Sequence, residues 1–236
     1  MTDHSHEPQD ISARIGEPKG RGVLRDAVYG AIDGTVTTFA IVAGVAGAGL
    51  SPFVVVVLGL ANVLADGFSM AAANYSGIKA EQDNYKRIRQ IEEQHINDHP
   101  KGERLEVREI LSRKGLSGRV LDQATDAVTQ DKESWIELMM EGEYGLGGID
   151  PRPLRAALTT FVAFLVAGMV PVSPFLFGLD NAFQLSAWMT MFTFFCIGAL
   201  KSHWSLTPWW RSALETMLIG GAAAGLAFGV GNLFNV

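Results

Sequence analysis

Five stretches of the chain are almost wholly apolar: 26–47, 52–75, 156–177, 182–200 and 212–234. Each is close to the ~20 residues that a helix needs to cross the hydrocarbon core of a bilayer. Between the second and third the pattern changes. Residues 76–150 mix apolar positions with Glu, Asp, Lys and Arg. From Ser76 to His99 there is no Gly after Gly77 and no Pro before Pro100, so this run extends the second apolar helix. Further helices are predicted over 103–114, stopped by Gly115, then over 116–129 and 132–144, where Gly142, Gly145, Gly147 and Gly148 loosen the end. Alternation of β-branched residues is missing, so no sheet is expected. The Gly-Ala-Gly-Leu-Ser-Pro stretch ending at Pro52 predicts a tight helical hairpin, and Pro171 with Pro174 is read as the end of the third apolar helix.

The fold class that follows is an all-α membrane protein, with five transmembrane helices and a cytoplasmic helical insert between the second and third. Its parts are a disordered tail (1–21), transmembrane helices 1–2 (22–75), the insert (76–150) and transmembrane helices 3–5 (151–236). Composition agrees: 48% of the 236 residues are hydrophobic and 19% charged, with a mean hydropathy of +0.17. That is too apolar for an ordinary soluble domain and too charged for a chain buried entirely in lipid. The net charge of −6 argues against nucleic acid, which selects basic patches. The single Cys196 excludes an intrachain disulfide. The acidic tail lacks the apolar core of a signal peptide, and its His4 and His6 are read as solvated.

Lys and Arg near the helix ends set the orientation. Arg14, Lys19, Arg21 and Arg25 precede the first span, and Lys79, Lys86, Arg87 and Arg89 follow the second. Arg152 and Arg155 precede the third, and Lys201 and Arg211 bracket the last connection. The turns at 48–52 and 172–181 and the C-terminal end hold neither residue. Five spans put every basic cluster on one side, which makes the N-terminus and insert cytoplasmic and the C-terminus external. Without a sorting segment, a prokaryotic plasma membrane is the expected location.

Against this lipid-like background a few polar residues stand out. An Asp at the middle of a membrane helix costs roughly 2.5–3.5 kcal/mol on insertion scales. Asp33 lies about seven residues inside the first helix, ~10 Å at 1.5 Å per residue. Met70 lies a similar count from the basic end of the second helix, so the two are expected at comparable depth. Asn62, Asp66 and Met70 recur at every fourth position, along one stripe, and Thr37 continues the face of Asp33. Gly30, Gly34 and Gly67 admit close backbone approach. The plain reading of one such acid is a hydrogen bond to a neighbouring helix. Two acids aligned with Asn and Met instead favour a cation pathway, in which the thioether selects transition ions over Mg²⁺ or Ca²⁺.

The insert repeats this chemistry. Glu92, Glu93 and His95 form one group, Glu106 and Glu109 another, and Met139, Met140 and Glu143 a third, each within about a helical turn. Glu, His and Met on packed helices suit Fe²⁺ or Mn²⁺, making this a candidate metal-binding insert. A solvated charged face is the plain alternative for each Glu pair. Trp135, Ile136, Leu138 and Met139 also give the last insert helix an apolar face, and packing on it is the plain alternative for Met139.

Three stretches together, Asp26-Ala-Val-Tyr-Gly-Ala-Ile-Asp33-Gly-Thr-Val, Ala65-Asp-Gly-Phe-Ser-Met70-Ala-Ala-Ala-Asn-Tyr and Trp135-Ile-Glu-Leu-Met-Met140-Glu-Gly-Glu143, resemble the vacuolar iron transporter family, in a bacterial-type form. The likeness covers about residues 22–235. It implies a homodimer that moves Fe²⁺, and often Mn²⁺, out of the cytosol by proton antiport, with no organic cofactor and no enzymatic activity. It also implies that Asp33 and Met70 line the pathway, and that Glu106, Glu109, Met139, Met140 and Glu143 are ligands in the insert. The plant-type pattern has a Glu where this chain has Asn62, and Asp66, one turn later, is expected to supply the missing acid. The rival readings are a membrane-anchored ferritin-like di-iron oxidase, suggested by Glu92-x-x-His95, and a metal sensor that moves nothing. The oxidase would need a second Glu-x-x-His on another helix.

Overall fold

The computed structural model describes residues 7–16, 23–147, 152–202 and 206–234, and its regular elements are all helical. In chain order these are α1 (Pro8–Gly16), α2 (Val23–Gly47), α3 (Pro52–Asp98), α4 (Pro100–Arg113), α5 (Gly118–Gln130), α6 (Lys132–Gly142), α7 (Pro153–Leu176), α8 (Ala182–Ser202) and α9 (Trp209–Leu233). The chain divides into two compact units. One comprises residues 1–21 with 77–151, the other 22–76 with 152–236. Helix α3 passes from one to the other without a break. Its 47 residues span ~70 Å at 1.5 Å per residue, more than twice the ~30 Å of a bilayer core. Only its apolar first half is therefore membrane-spanning.

Helices α2, α3, α7, α8 and α9 are each long and apolar enough to cross a membrane, and the chain is an integral membrane protein. Large apolar side chains point outward along them, including Phe53 at 73% exposure and Trp188 at 76%. Such a surface would be a liability in water and is ordinary against lipid. The interior is held by small residues. A Cβ on Gly34 would stand 2.5 Å from the carbonyl oxygen of Phe164, so only Gly lets α2 pack backbone-to-backbone on α7. Gly30 meets Thr160 in the same way, whereas Gly67 of α3 lies against the Phe164 ring. The close approach expected from these glycines is thus made to α7. Phe39, Val42, Val45 and Val55 form the apolar core near the α2–α3 turn. That turn is closed by Gly49 at φ 70° and by the Leu50 N–H donating to the Val45 carbonyl at 3.1 Å.

Two expectations are corrected. Pro171 and Pro174 do not end the third span, because α7 continues through both to Leu176. Pro174 leaves the Val170 carbonyl without its helical donor, and the Ser173 hydroxyl donates to it at 2.8 Å. Ser186 of α8 donates to the Pro171 carbonyl at 2.7 Å. A hydroxyl that meets a freed carbonyl, as Ser173 does, lets proline persist inside a membrane helix. The tail, expected to be unstructured, contains α1, which Pro8 opens and whose first turn carries Asp10, both favourable at a helix start. His4 and His6 lie outside the described residues, as do Lys19, Arg21 and Gly148.

In the other unit, the charged half of α3 packs with α4, α5 and α6. Ile96, Val107, Leu111, Leu121, Trp135, Ile136, Met139 and Met140 make its core. Only His99 separates the end of α3 from Pro100, which starts α4; Gly115 at φ 95° turns the chain towards α5, and Asp131 caps α6 by accepting from the Ser134 N–H at 2.9 Å. Arg104–Asp126 and Arg108–Asp122 pairs tie α4 to α5, and Arg89 grips Glu133 through two hydrogen bonds of 2.6 and 2.8 Å.

Candidate metal pathway and carboxylate cluster

Two hydrogen-bonded rows fix the register of α2 against α3. In the first, the Asn74 amide donates to Asp26 Oδ1 at 3.0 Å and to Thr160 Oγ1 of α7 at 2.9 Å. In the second, about three turns along α3, the Asn62 amide donates to Thr37 and Thr38 Oγ1, both at 3.3 Å. Thr37 in turn donates to the Asp33 carbonyl at 2.8 Å. Between these rows the register sets Asp66 level with residues 33–34 of α2, and the Asp33 and Asp66 carboxylates are near enough to interact electrostatically. Asp33, Thr37, Asn62, Asp66 and Met70 are all half-buried. The structure therefore brings Asp33, Asp66, Asn62 and Thr37 onto one polar seam. Met70 lies on the same stripe of α3, but the register sets it level with residues 29–30. That is about one helical turn, ~5 Å, nearer the basic end than Asp33. Asp66, not Met70, shares the row of Asp33.

Asp26 and Asn74 are the seam residues that sequence reasoning missed. Asp26 is 8% exposed and lies seven positions, two turns, before Asp33 on the same face of α2. Its partner Asn74 continues the four-residue stripe of Asn62, Asp66 and Met70, so the signal was present in the spacing.

The helical unit carries a denser group. Glu92 of α3 is fully buried; its Oε2 accepts a hydrogen bond from the Tyr144 hydroxyl at 3.3 Å, and its Oε1 has no hydrogen-bond partner. Glu103 of α4 is also buried, and its Oε2 likewise has none. Burial, and then the charges of Glu103 and Glu143, push the Glu92 carboxyl up to about 7. Glu106 is raised by burial and by Glu103 and Glu143, with His95 acting in the opposite direction. The Tyr144 phenol is raised by burial and by the Glu143 and Glu92 charges. His95 Nδ1 stands 3.7 Å from Glu103 Oε1. An open cleft of about 560 Å³ exposes Glu106 and Glu143 beside Glu109 and Glu141, with Arg113 and Lys114 on its wall. Among the described residues, no three His, Cys, Asp or Glu side chains are gathered tightly enough to hold an ion as they stand.

Of the ligands expected in the insert, the structure brings Glu92, His95, Glu106 and Glu143 into this group. It ties the others elsewhere. Glu93 pairs with Arg89 at 3.6 Å, and Glu109, although on the cleft wall, is held by Arg113 at 2.8 Å. Met139 is buried in the apolar core, as the packing alternative expects, and Met140, expected only as a ligand, is buried there with it. Glu103 and Tyr144 were missed. The signal for Glu103 was its phase: Glu103, Val107 and Leu111 are spaced by four and are the buried residues of α4.

An acid-bearing seam inside five apolar helices, and a crowded carboxylate cluster in a polar helical unit, define a polytopic helical membrane protein. Residues 24–232 match the model of the VIT family, and the chain belongs to that family. It is 34% identical over 211 residues to vacuolar iron transporter 1 of Eucalyptus grandis, covering 88% of this chain and 85% of that protein. It is 34% identical over 209 residues to vacuolar iron transporter 1 of Arabidopsis thaliana, covering 87% and 84%. A vacuolar iron transporter of Toxoplasma gondii is 34% identical over 225 residues, covering 90% and 74%.

Proposed function

We propose that this chain transports Fe²⁺, and Mn²⁺ with it, out of the cytosol, as a homodimer that takes up protons in exchange. The observation that carries the proposal is the seam itself, where Asp33 and Asp66 share one row within membrane-spanning helices. Two carboxylates sharing one row there are costly, and intramembrane acids ordinarily mark ion or proton pathways. Carboxylates bind metal only when deprotonated, so ion loading releases protons, and protons arriving from an acidic far side discharge the ion. Asp66 takes the place of an acid at Asn62, whose amide instead positions Thr37 and Thr38. Met70 adds a soft donor one turn nearer the basic end.

The carboxylate cluster gathers the ion on the cytosolic side. Glu92, Glu103, Glu106, Glu143 and His95 are its donors, and a divalent cation would relieve the repulsion that raises Glu92 and Glu106. The N-terminus and the helical insert are cytosolic on this reading, following the basic residues at the ends of the spans. The membrane is the plasma membrane of a prokaryote. Family and relatives are transporters and not enzymes, and an oxidase would leave Asp33 and Asp66 without a task.

The test is Fe²⁺ and Mn²⁺ uptake into sealed liposomes under an imposed pH gradient. The proposal expects metal flux that scales with the gradient and collapses when a protonophore removes it. Oxygen consumption without flux would instead mark an oxidase, and binding without either would mark a sensor.

A further inference from the structure

The carboxylate cluster contains one donor that is not an oxygen. His95 stands at the solvent edge of the group, 48% exposed, with Nδ1 3.7 Å from Glu103 Oε1. That separation is too long for a hydrogen bond, which needs 2.7–3.2 Å. It does match the gap between two donors on one ion. Imidazole nitrogen and carboxylate oxygen each bind a divalent transition metal at ~2.0–2.2 Å, so neighbouring ligands lie roughly 3–4 Å apart. Two further oxygens of the group, Oε1 of Glu92 and Oε2 of Glu103, are buried without partners.

We propose that His95 is the selectivity-determining residue of this cluster, supplying a nitrogen ligand that ranks borderline transition ions such as Fe²⁺, Co²⁺ and Zn²⁺ above Mn²⁺ and far above Mg²⁺ or Ca²⁺. The proposal rests on the reading of the cluster as a cation site. An all-carboxylate group suits Mg²⁺, Ca²⁺ and Mn²⁺, whereas imidazole favours Zn, Cu, Fe and Ni, and the affinity of nitrogen donors climbs from Mn²⁺ towards the later metals. One nitrogen among carboxylates shifts the ranking without closing the site to Mn²⁺. Because the ring is half exposed, exchanging it leaves the packed core of the unit intact.

The test compares the intact protein in detergent with His95→Gln and His95→Glu, titrating Zn²⁺, anaerobic Fe²⁺ and Mn²⁺ by calorimetry. Helix content by circular dichroism checks the fold of each variant. In the wild type, pulsed EPR of bound Mn²⁺ should show coupling to an imidazole nitrogen, and His95→Gln should remove it. His95→Gln should lose about tenfold or more in Zn²⁺ and Fe²⁺ affinity and much less in Mn²⁺ affinity. His95→Glu should restore Mn²⁺ binding but not the preference for Zn²⁺. Metal binding that persists with an unchanged ranking, or that weakens equally for every ion, would overturn the selectivity role while leaving the cluster reading in place. Failure of wild type and both variants to bind any of the ions at this unit would overturn the cluster reading, and this proposal with it.

Discussion

The two acid-bearing regions of the molecule are built on opposite principles. In the membrane seam, carboxylates are few and spaced by whole helical turns, and the rows on either side of Asp33 and Asp66 are fastened by amides: Asn74 to Asp26, and Asn62 to Thr37 and Thr38. In the helical unit, carboxylates crowd together, and buried oxygens of Glu92 and Glu103 have no partner. Lipid supplies no water to solvate stray polar groups, so the seam fastens those on either side of its acid row. The helical unit has water at its cleft and a core of its own, and it tolerates repulsion that a cation would relieve. Sparse acids at fixed depths suit passage; crowded acids suit capture.

The sharpest break in that comparison is Asp66→Asn. If the Asp33–Asp66 row is the passage, this change should abolish flux in vesicles while the protein still folds and still binds metal. Normal flux would remove Asp66 from the pathway. Next comes Glu103→Gln, which deletes one of the buried charges of the cluster. It should weaken metal binding in the helical unit roughly tenfold or more, whereas exchanging a plain surface acid would change nothing measurable.

The third effect is on stability. Burial, and then the neighbouring Glu103 and Glu143 charges, push the Glu92 carboxyl up to about 7 in the folded state, from an ordinary value of 4.5. The folded state therefore holds the extra proton, and metal-free stability falls as pH rises from about 4.5 to about 7. The cost is fully present above that window and absent below it. Glu92→Gln should raise the melting temperature of the metal-free protein at pH 8 and leave it little changed near pH 4.5; equal effects at both would contradict the burial of a strained carboxylate. The smallest expected effects belong to Glu93→Gln and Glu109→Gln. Each acid already has an arginine partner at the surface, where such pairs contribute little. Metal affinity should change less than twofold in either variant, as calorimetry would show.

The spans were legible because apolar length is a bulk property that one turn of error does not disturb. The ends of α7 were less so: proline is a helix breaker in water, but Ser173 and Ser186 meet the carbonyls of this helix, and nothing local in the sequence announces them. Asp33, Asp66 and Asn62 could be placed on facing stripes from their spacing, while the actual row partners depend on how α2 and α3 slide past each other. That offset is fixed by the Asn74–Asp26 bond, between residues far apart in the chain. In the insert, Glu103-x-x-Glu106 and Glu106-x-x-Glu109 have identical spacing. Only the phase of Val107 and Leu111 tells which pair turns inward, and Arg113 then takes Glu109 away.

The division of labour between seam and cluster is tested most directly by one paired experiment: Fe²⁺ flux and Fe²⁺ binding measured on the same preparations of wild type, Asp33→Asn and Glu103→Gln. The account expects Asp33→Asn to stop flux yet keep binding at the helical unit, and Glu103→Gln to weaken that binding while flux survives at saturating Fe²⁺. Undiminished flux in Asp33→Asn, driven by the same pH gradient, would contradict it.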